Sequence, residues 1–323
     1  VGLGASLQDF TMDTAGPAAL AGGLLTDPAE YDEWAKWNER VQAIGPYIQT
    51  LTIGVNPADN LGAALFAHRV PGTLEWSSEP LLPKPPKHVV PVDVPPWWRM
   101  KKRNSMFYTA AGRGDHARIM MTASTLCTDT VEEATAIDNY FPNIRSYILS
   151  IEPPEYPYVV DDDLAAVGEE IFDATCAGCH GTYGEEETYP NLLIPADEIG
   201  TDALLANGAA QFADDYVDWF NDSFYGILAR LDQMRGYVAP PLDGIWATPP
   251  FLHNGSVPTI ELVLNSAARP KYWTWSFNPN DYDPDALGWK YDFSMVGHEL
   301  EPDPEKRKRI YDTTQLGYGN GGH

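Results

Sequence analysis

The stretch ATCAGCHGTYG at residues 174–184 constrains this chain more than any other, because it sets Cys176, Cys179 and His180 in the order C-x-x-C-H. That spacing is the attachment signal for a c-type haem: two thioethers fix the porphyrin and the histidine coordinates its iron. A chain built around such a group must wrap a large flat ring with short helices and loops. The same Cys pair could serve thioredoxin-like redox chemistry, but that motif opens a helix within a βαβ unit. Here an apolar-periodic helix precedes the motif and a histidine follows at once. A zinc site would need two further ligands, Cys127 and another histidine, and no spacing points to them.

Cys127 is the only other cysteine, so no intrachain disulfide framework exists. Covalent haem attachment takes place outside the bacterial cytoplasm, which implies a periplasmic or extracellular protein. Yet the chain opens VGLGASLQDF, without Met, basic n-region or apolar h-region. The expectation is a piece of a longer mature protein. A formal charge of −25 over 323 residues argues against nucleic acid or an anionic membrane as partner. No run approaches a membrane span, and acidity of this size suits solubility or docking to a basic redox partner.

Helical signals dominate the pattern, and the expected class is mainly α: cytochrome-c-like haem domains with long irregular Pro/Gly-rich loops. Residues 27–51 read as a helix capped by Asp27, with Pro28 in its first turn. Residues 79–97 carry seven prolines and must be extended. Val131, Ala134, Ile137, Tyr140, Ile144 and Tyr147 are spaced for one buried helical face. EPPEYP at 152–157 breaks the chain, giving an expected division into 1–157, which includes the Pro-rich connector, and 158–323, the haem domain. The second part opens with an acidic-capped helix whose apolar residues are Leu164, Val167, Ile171 and Phe172. It delivers Cys176. A loop-rich stretch with Trp219, Phe220, Phe224 and Tyr225 follows, and then a short helix capped by Ser256 or Thr259.

The iron's second axial position decides between electron storage and small-molecule chemistry. Candidates beyond the motif are Met234, His253, Met295, His298 and His323.

YVAPPLDGIWATPPFLHNGSVPTIELVL at 237–264 resembles the second-haem domain of the bacterial di-haem cytochrome c peroxidase superfamily. GIWAT, LHNGSVP, VPPWWRMKK, GRGDHARIMM and YDTTQLGYGNGGH look like the branch that contains the haem-dependent rubber oxygenases. The resemblance covers roughly residues 90–323. It implies a two-haem oxidoreductase of peroxidase- or dioxygenase-like chemistry, with the other haem on a segment before Val1 or on another chain. A non-catalytic electron carrier, or a subunit of a multi-haem assembly with only six-coordinate iron, is the alternative. By the same resemblance His323 closes the coordination of the Cys176/Cys179 haem, with His298 the alternative ligand and Met295 the peroxidase-like one. His253 is implied at the domain interface or near a propionate. Residues 1–157 are implied as the remainder of the first-haem domain. His116 is a candidate catalytic residue on the distal side of that haem, as ligand or acid/base, and Trp98, with Trp97, is a candidate relay between haems. Thr248 and Pro250 match the positions that hold calcium through backbone carbonyls. One departure stands out: Asp243 replaces an arginine usual in the peroxidases, which counts against peroxide turnover.

Overall fold

The computed structural model describes residues 27–208, 213–278 and 280–323. The opening VGLG stretch lies outside the described residues. In chain order the helices are α1 (Pro28–Ile44), α2 (Ala58–Phe66), α3 (His116–Met121), α4 (Val131–Asp138), α5 (Phe141–Ser150) and α6 (Asp162–Thr175). They continue as α7 (Ala177–His180), α8 (Ala196–Ile199), α9 (Leu204–Gly208), α10 (Ala213–Asp222), α11 (Ile260–Leu264) and α12 (Pro304–Arg307). The strands are β1 (Gly112–Gly114), β2 (Leu193–Pro195), β3 (Ala229–Leu231), β4 (Gly236–Val238), β5 (Tyr272–Trp275), β6 (Tyr282–Asp283), β7 (Gly288–Trp289), β8 (Tyr291–Phe293) and β9 (Tyr311–Asp312).

The expectation of a mainly α protein is corrected. About 39% of the structure is helix and 12% strand, in several small sheets, so the class is mixed α/β. All pairings are antiparallel: β1 with β3, β2 with β4, β6 with β7, and a three-stranded sheet in the order β8-β5-β9. Strands of two to four residues are too short to show alternation in the sequence.

The helix expected over 27–51 ends at Ile44, where Gly45 and Pro46 open a tight 3-10 turn. Asp27 caps it as expected, accepting from Ala29 N at 2.9 Å. The run 131–147 is two helices rather than one, with Pro142 in the first turn of α5. In consequence Tyr140 and Tyr147 are 69% and 68% exposed instead of buried. The stretch read as loop around Trp219 contains α10, and Trp219, Phe220 and Tyr225 are buried.

The largest core joins Ile44, Leu65, Phe66, Leu74, Ile119 and Met121 to Trp219, Phe220, Tyr225 and Ala229. Trp219 stacks on Phe66 at 4.1 Å between centroids and donates its indole N–H to Arg69 O at 2.6 Å. Residues on both sides of the 157/158 break therefore share one apolar interior. A second aromatic cluster, Trp273, Tyr311 and Tyr318, lies under the three-stranded sheet. On α6, Leu164, Val167 and Ile171 form a stripe that is exposed among the described residues. No helix among the described residues is long and apolar enough to cross a membrane.

Candidate haem site

Asp161 caps α6 by accepting from Leu164 N at 3.0 Å, and Asp162 and Asp163 complement the positive end of the helix. The helix ends at Cys176, and α7 carries the motif through one further turn: the N–H groups of Cys179 and His180 both donate to Cys176 O, at 3.1 and 3.0 Å. Gly181 stops the turn with φ of +84°, and a Cβ there would collide with the Thr188 carbonyl. Both thiols are free and half-buried.

His180 is buried, and its Nδ1 lies 2.9 Å from the carbonyl of Pro240. A carbonyl only accepts, so Nδ1 carries the proton and Nε2 is left with a lone pair. That nitrogen faces His323 Nε2 at 3.5 Å. Burial pushes both imidazoles below their ordinary range, and for His323 the neighbouring His180 and Arg269 add to it.

His323 is presented by a clamped terminal turn. Its own N–H donates to Ile199 O at 3.1 Å. Asn254 Nδ2 donates to the carbonyls of Gly317 and Gly319, at 3.0 and 2.8 Å. Arg269 donates to Leu262 O and Val263 O at the end of α11, and to Asn320 O and Gly322 O in the turn. The guanidinium fork thus ties a helix end to the residues just before His323.

This donor set fits a c-type haem. Two free thiols sit one turn from an imidazole whose tautomer leaves Nε2 open, and a second imidazole nitrogen opposes it. Imidazole–metal bonds of about 2.0 Å each need about 4 Å between in-line nitrogens, close to the observed spacing.

The remaining sequence candidates lie apart from this pair or are already engaged. His298 Nε2 is 2.8 Å from Ile310 O, and its N–H donates to Asp312 Oδ2 at 2.9 Å. Met295 is 91% exposed. His253 stacks on Tyr237 at 4.2 Å, with Nε2 3.1 Å from the Tyr237 hydroxyl, and burial lowers its pKa to about 4. His116, at the start of α3, is buried rather than a surface histidine. Trp98 is half-buried and donates to Asp243 O at 2.6 Å, whereas Trp97 is exposed. Thr248 donates its hydroxyl to Ile245 O at 3.0 Å, and the carbonyl of Pro249, before Pro250, accepts from Trp289 at 2.8 Å. Nothing at Thr248 or Pro250 adds to the calcium expectation. Among the described residues no group of three or more His, Cys, Asp or Glu is placed to hold a metal ion.

Asp243 accepts from Arg99 Nε at 2.9 Å and lies 3.3 Å from Lys102 Nζ, so two basic side chains hold its carboxylate. Sequence reasoning missed Pro240, Asn254 and Arg269 as supports of the histidine pair. A backbone carbonyl has no sequence signal. Asn254 lies within LHNGS, and Arg269 is one of few cations in an acidic chain.

Residues 236–274 match a RoxA-like, cytochrome c-like family. The matched segment supplies Pro240, Asn254 and Arg269, and it contains neither the C-x-x-C-H nor His323. It carries the cytochrome c-like part of the expectation and not the di-haem peroxidase part. The cytochrome c-like match points to covalent haem c and to a haem redox role. The chain is also similar to two uncharacterized proteins of Sinorhizobium fredii. It is 30% identical to y4iJ over 259 residues, covering 62% of this chain and 41% of that protein. To y4iM it is 30% identical over 205 residues, covering 56% of this chain and 45% of that protein. The chain thus spans less than half the length of either relative.

Proposed function

We propose that this chain is the electron-transfer haem unit of a larger oxidoreductase, with one haem c held through Cys176 and Cys179 and ligated by His180 and His323. The observation that carries the reading is the opposed pair of Nε2 atoms at 3.5 Å, with His180 fixed by Pro240. When bound, the haem would supply one-electron redox chemistry, with His180 and His323 as the residues that would hold its iron. The chain's part is to hold and orient that iron. The Pro240 carbonyl orients His180 and raises its basicity toward a metal. The Arg269 and Asn254 clamps keep His323 opposite it. Neither histidine moves a proton in this role.

Substrate chemistry, peroxidase- or dioxygenase-like, would belong to a second haem on another segment or chain. The greater length of both relatives supports this, as does the resemblance of the Trp98 and His116 segments to a two-haem protein. Covalent haem attachment argues for a periplasmic or extracellular location, and a redox protein is the expected partner.

The test is the intact protein made in a host that matures c-type cytochromes. Its mass should rise by one covalent haem on this chain, and its visible and EPR spectra should be low-spin. His323→Ala should turn that haem high-spin. A chain without covalent haem, or an unchanged low-spin spectrum in the variant, overturns the assignment. A second reading, in which the whole protein is only an electron carrier, is favoured by Asp243 and by the two-histidine pair. Failure of every haem in the full-length protein to react with peroxide, carbon monoxide or dioxygen would select it.

A further inference from the structure

Residues 99–118 concentrate cations in a chain of net charge −25, and their neighbours give almost every one a carboxylate. Arg99 pairs with Glu152 and Asp243, Lys101 with Glu152, Lys102 with Glu187 and Asp243, Arg113 with Asp232 and Arg118 with Asp138. Arg103 is the exception among the described residues. Its Nε and Nη2 are sealed from solvent without a hydrogen-bond partner, and burial pulls the guanidinium below its usual range. Two sealed guanidinium nitrogens without a partner are unfavourable unless an acceptor reaches them.

Arg103 lines a cavity of about 170 Å³ together with Asn104, Ser105, Met106, His116 and Ile119. His116 is only 7% exposed, and its Nε2 is likewise sealed without a partner. Two unpartnered nitrogen-bearing side chains therefore border one small space. The cavity has room for the end of an acid side chain.

The location ties this space to the histidine pair. Asn191 bridges the backbone on either side of Arg103, donating to Lys102 O at 3.0 Å and accepting from Asn104 N at 2.9 Å. Tyr189 donates to Ala239 O at 2.8 Å, and Val238 N donates to Tyr108 O at 2.7 Å. Through Tyr108 and Tyr189 the segment that carries Arg103 is tied to residues 238–239, and the carbonyl of Pro240, next in the chain, lies 2.9 Å from His180 Nδ1.

We propose that Arg103 and His116 form a carboxylate site and that its occupant is a propionate of the haem carried by Cys176 and Cys179. This rests on the haem reading given above. The planar guanidinium fork matches a carboxylate through two parallel N–H donors, and His116 Nε2 supplies a third contact when it bears the ring proton. A free inorganic anion would satisfy the same chemistry, and the experiment separates the two sources.

The midpoint potential of the haem is measured in wild-type holoprotein and in Arg103→Gln, Arg103→Lys and His116→Gln, with covalent haem counted by mass. Arg103→Gln should keep its haem and shift the potential downward, because losing a nearby positive charge favours the ferric state. Arg103→Lys should restore most of the shift, and His116→Gln should move the potential the same way by less. If Arg103→Gln does not accumulate, the other two variants carry the test. Unchanged potentials in haem-loaded variants overturn the proposal alone. A wild-type potential that follows inorganic phosphate concentration, with the dependence lost in Arg103→Gln, overturns the propionate in favour of a free anion. Absence of covalent haem overturns this proposal and the proposed function together.

Discussion

The Arg269 guanidinium donates to the carbonyl of Gly322 at 2.9 Å, one residue before His323. Arg269 follows α11 by five residues and reaches back to Leu262 O and Val263 O, so a single side chain fixes the distance between that helix and the turn before His323. Its four carbonyl partners would be left short of a donor in Arg269→Gln. The expected cost is about 2 kcal/mol of stability, read by denaturant unfolding. The expected spectroscopic result is a mixture of low-spin and high-spin haem, since His323 loses its support. A variant as stable and as fully low-spin as wild type would show that the turn holds itself.

Glycines in the left-handed region offer a matched pair of substitutions. Gly322 has φ of +86°, and a Cβ there would collide with the Thr201 backbone. Gly184 has φ of +92°, but a Cβ there meets nothing within 4 Å. Gly184→Ala should therefore cost only the backbone strain of about 1 kcal/mol. Gly322→Ala adds the clash, so it should cost more and should also displace His323. Thermal unfolding and the high-spin fraction distinguish the two; equal effects would refute the packing argument.

The surroundings of Asp243 explain why a carboxylate stands there. The carboxylate is buried between Arg99 and Lys102. Asp243→Asn should lower stability by about 2 kcal/mol by leaving those cations less well paired. Asp243→Arg should be worse still, because a third cation would enter the same space. A thermally neutral Asp243→Arg would mean that Glu152 and Glu187 suffice for the local charge balance.

The sequence made the haem attachment legible because thioether chemistry needs its residues within one turn of helix. Cys176, Cys179 and His180 are local, and so is the Asp161 cap. His323 was reached only through resemblance, because nothing near it in sequence speaks of His180. What positions both histidines is non-local: a carbonyl at Pro240 and donors at Asn254 and Arg269. Periodicity also misled where a single proline outweighed it. Tyr140, Ile144 and Tyr147 keep helical spacing, yet Pro142 begins a new helix and turns those side chains outward. The class was misjudged for a related reason. Pairings such as Gly112–Gly114 with Ala229–Leu231 join segments far apart in sequence, and strands so short carry no pattern of their own.

Two buried groups near Tyr237 and Tyr108 give stability an opposed pH dependence. His253 is held to about 4 by burial, against an ordinary 6.5. The unfolded chain then binds more protons between those values, so this contribution is complete above pH 6.5 and is lost as pH falls toward 4. Its full size is about 3 kcal/mol. Asp93 is pushed up to about 7 from 3.8, again by burial. There the folded state keeps the proton, so the contribution is complete below pH 3.8 and is lost as pH rises toward 7. The two slopes partly cancel in the wild type. His253→Gln should accordingly lose less stability than wild type between pH 7 and pH 4.5, and Asp93→Asn should lose more. Urea unfolding of the three proteins at both pH values is the measurement. Parallel pH profiles for wild type and His253→Gln would mean that His253 titrates normally in the folded chain.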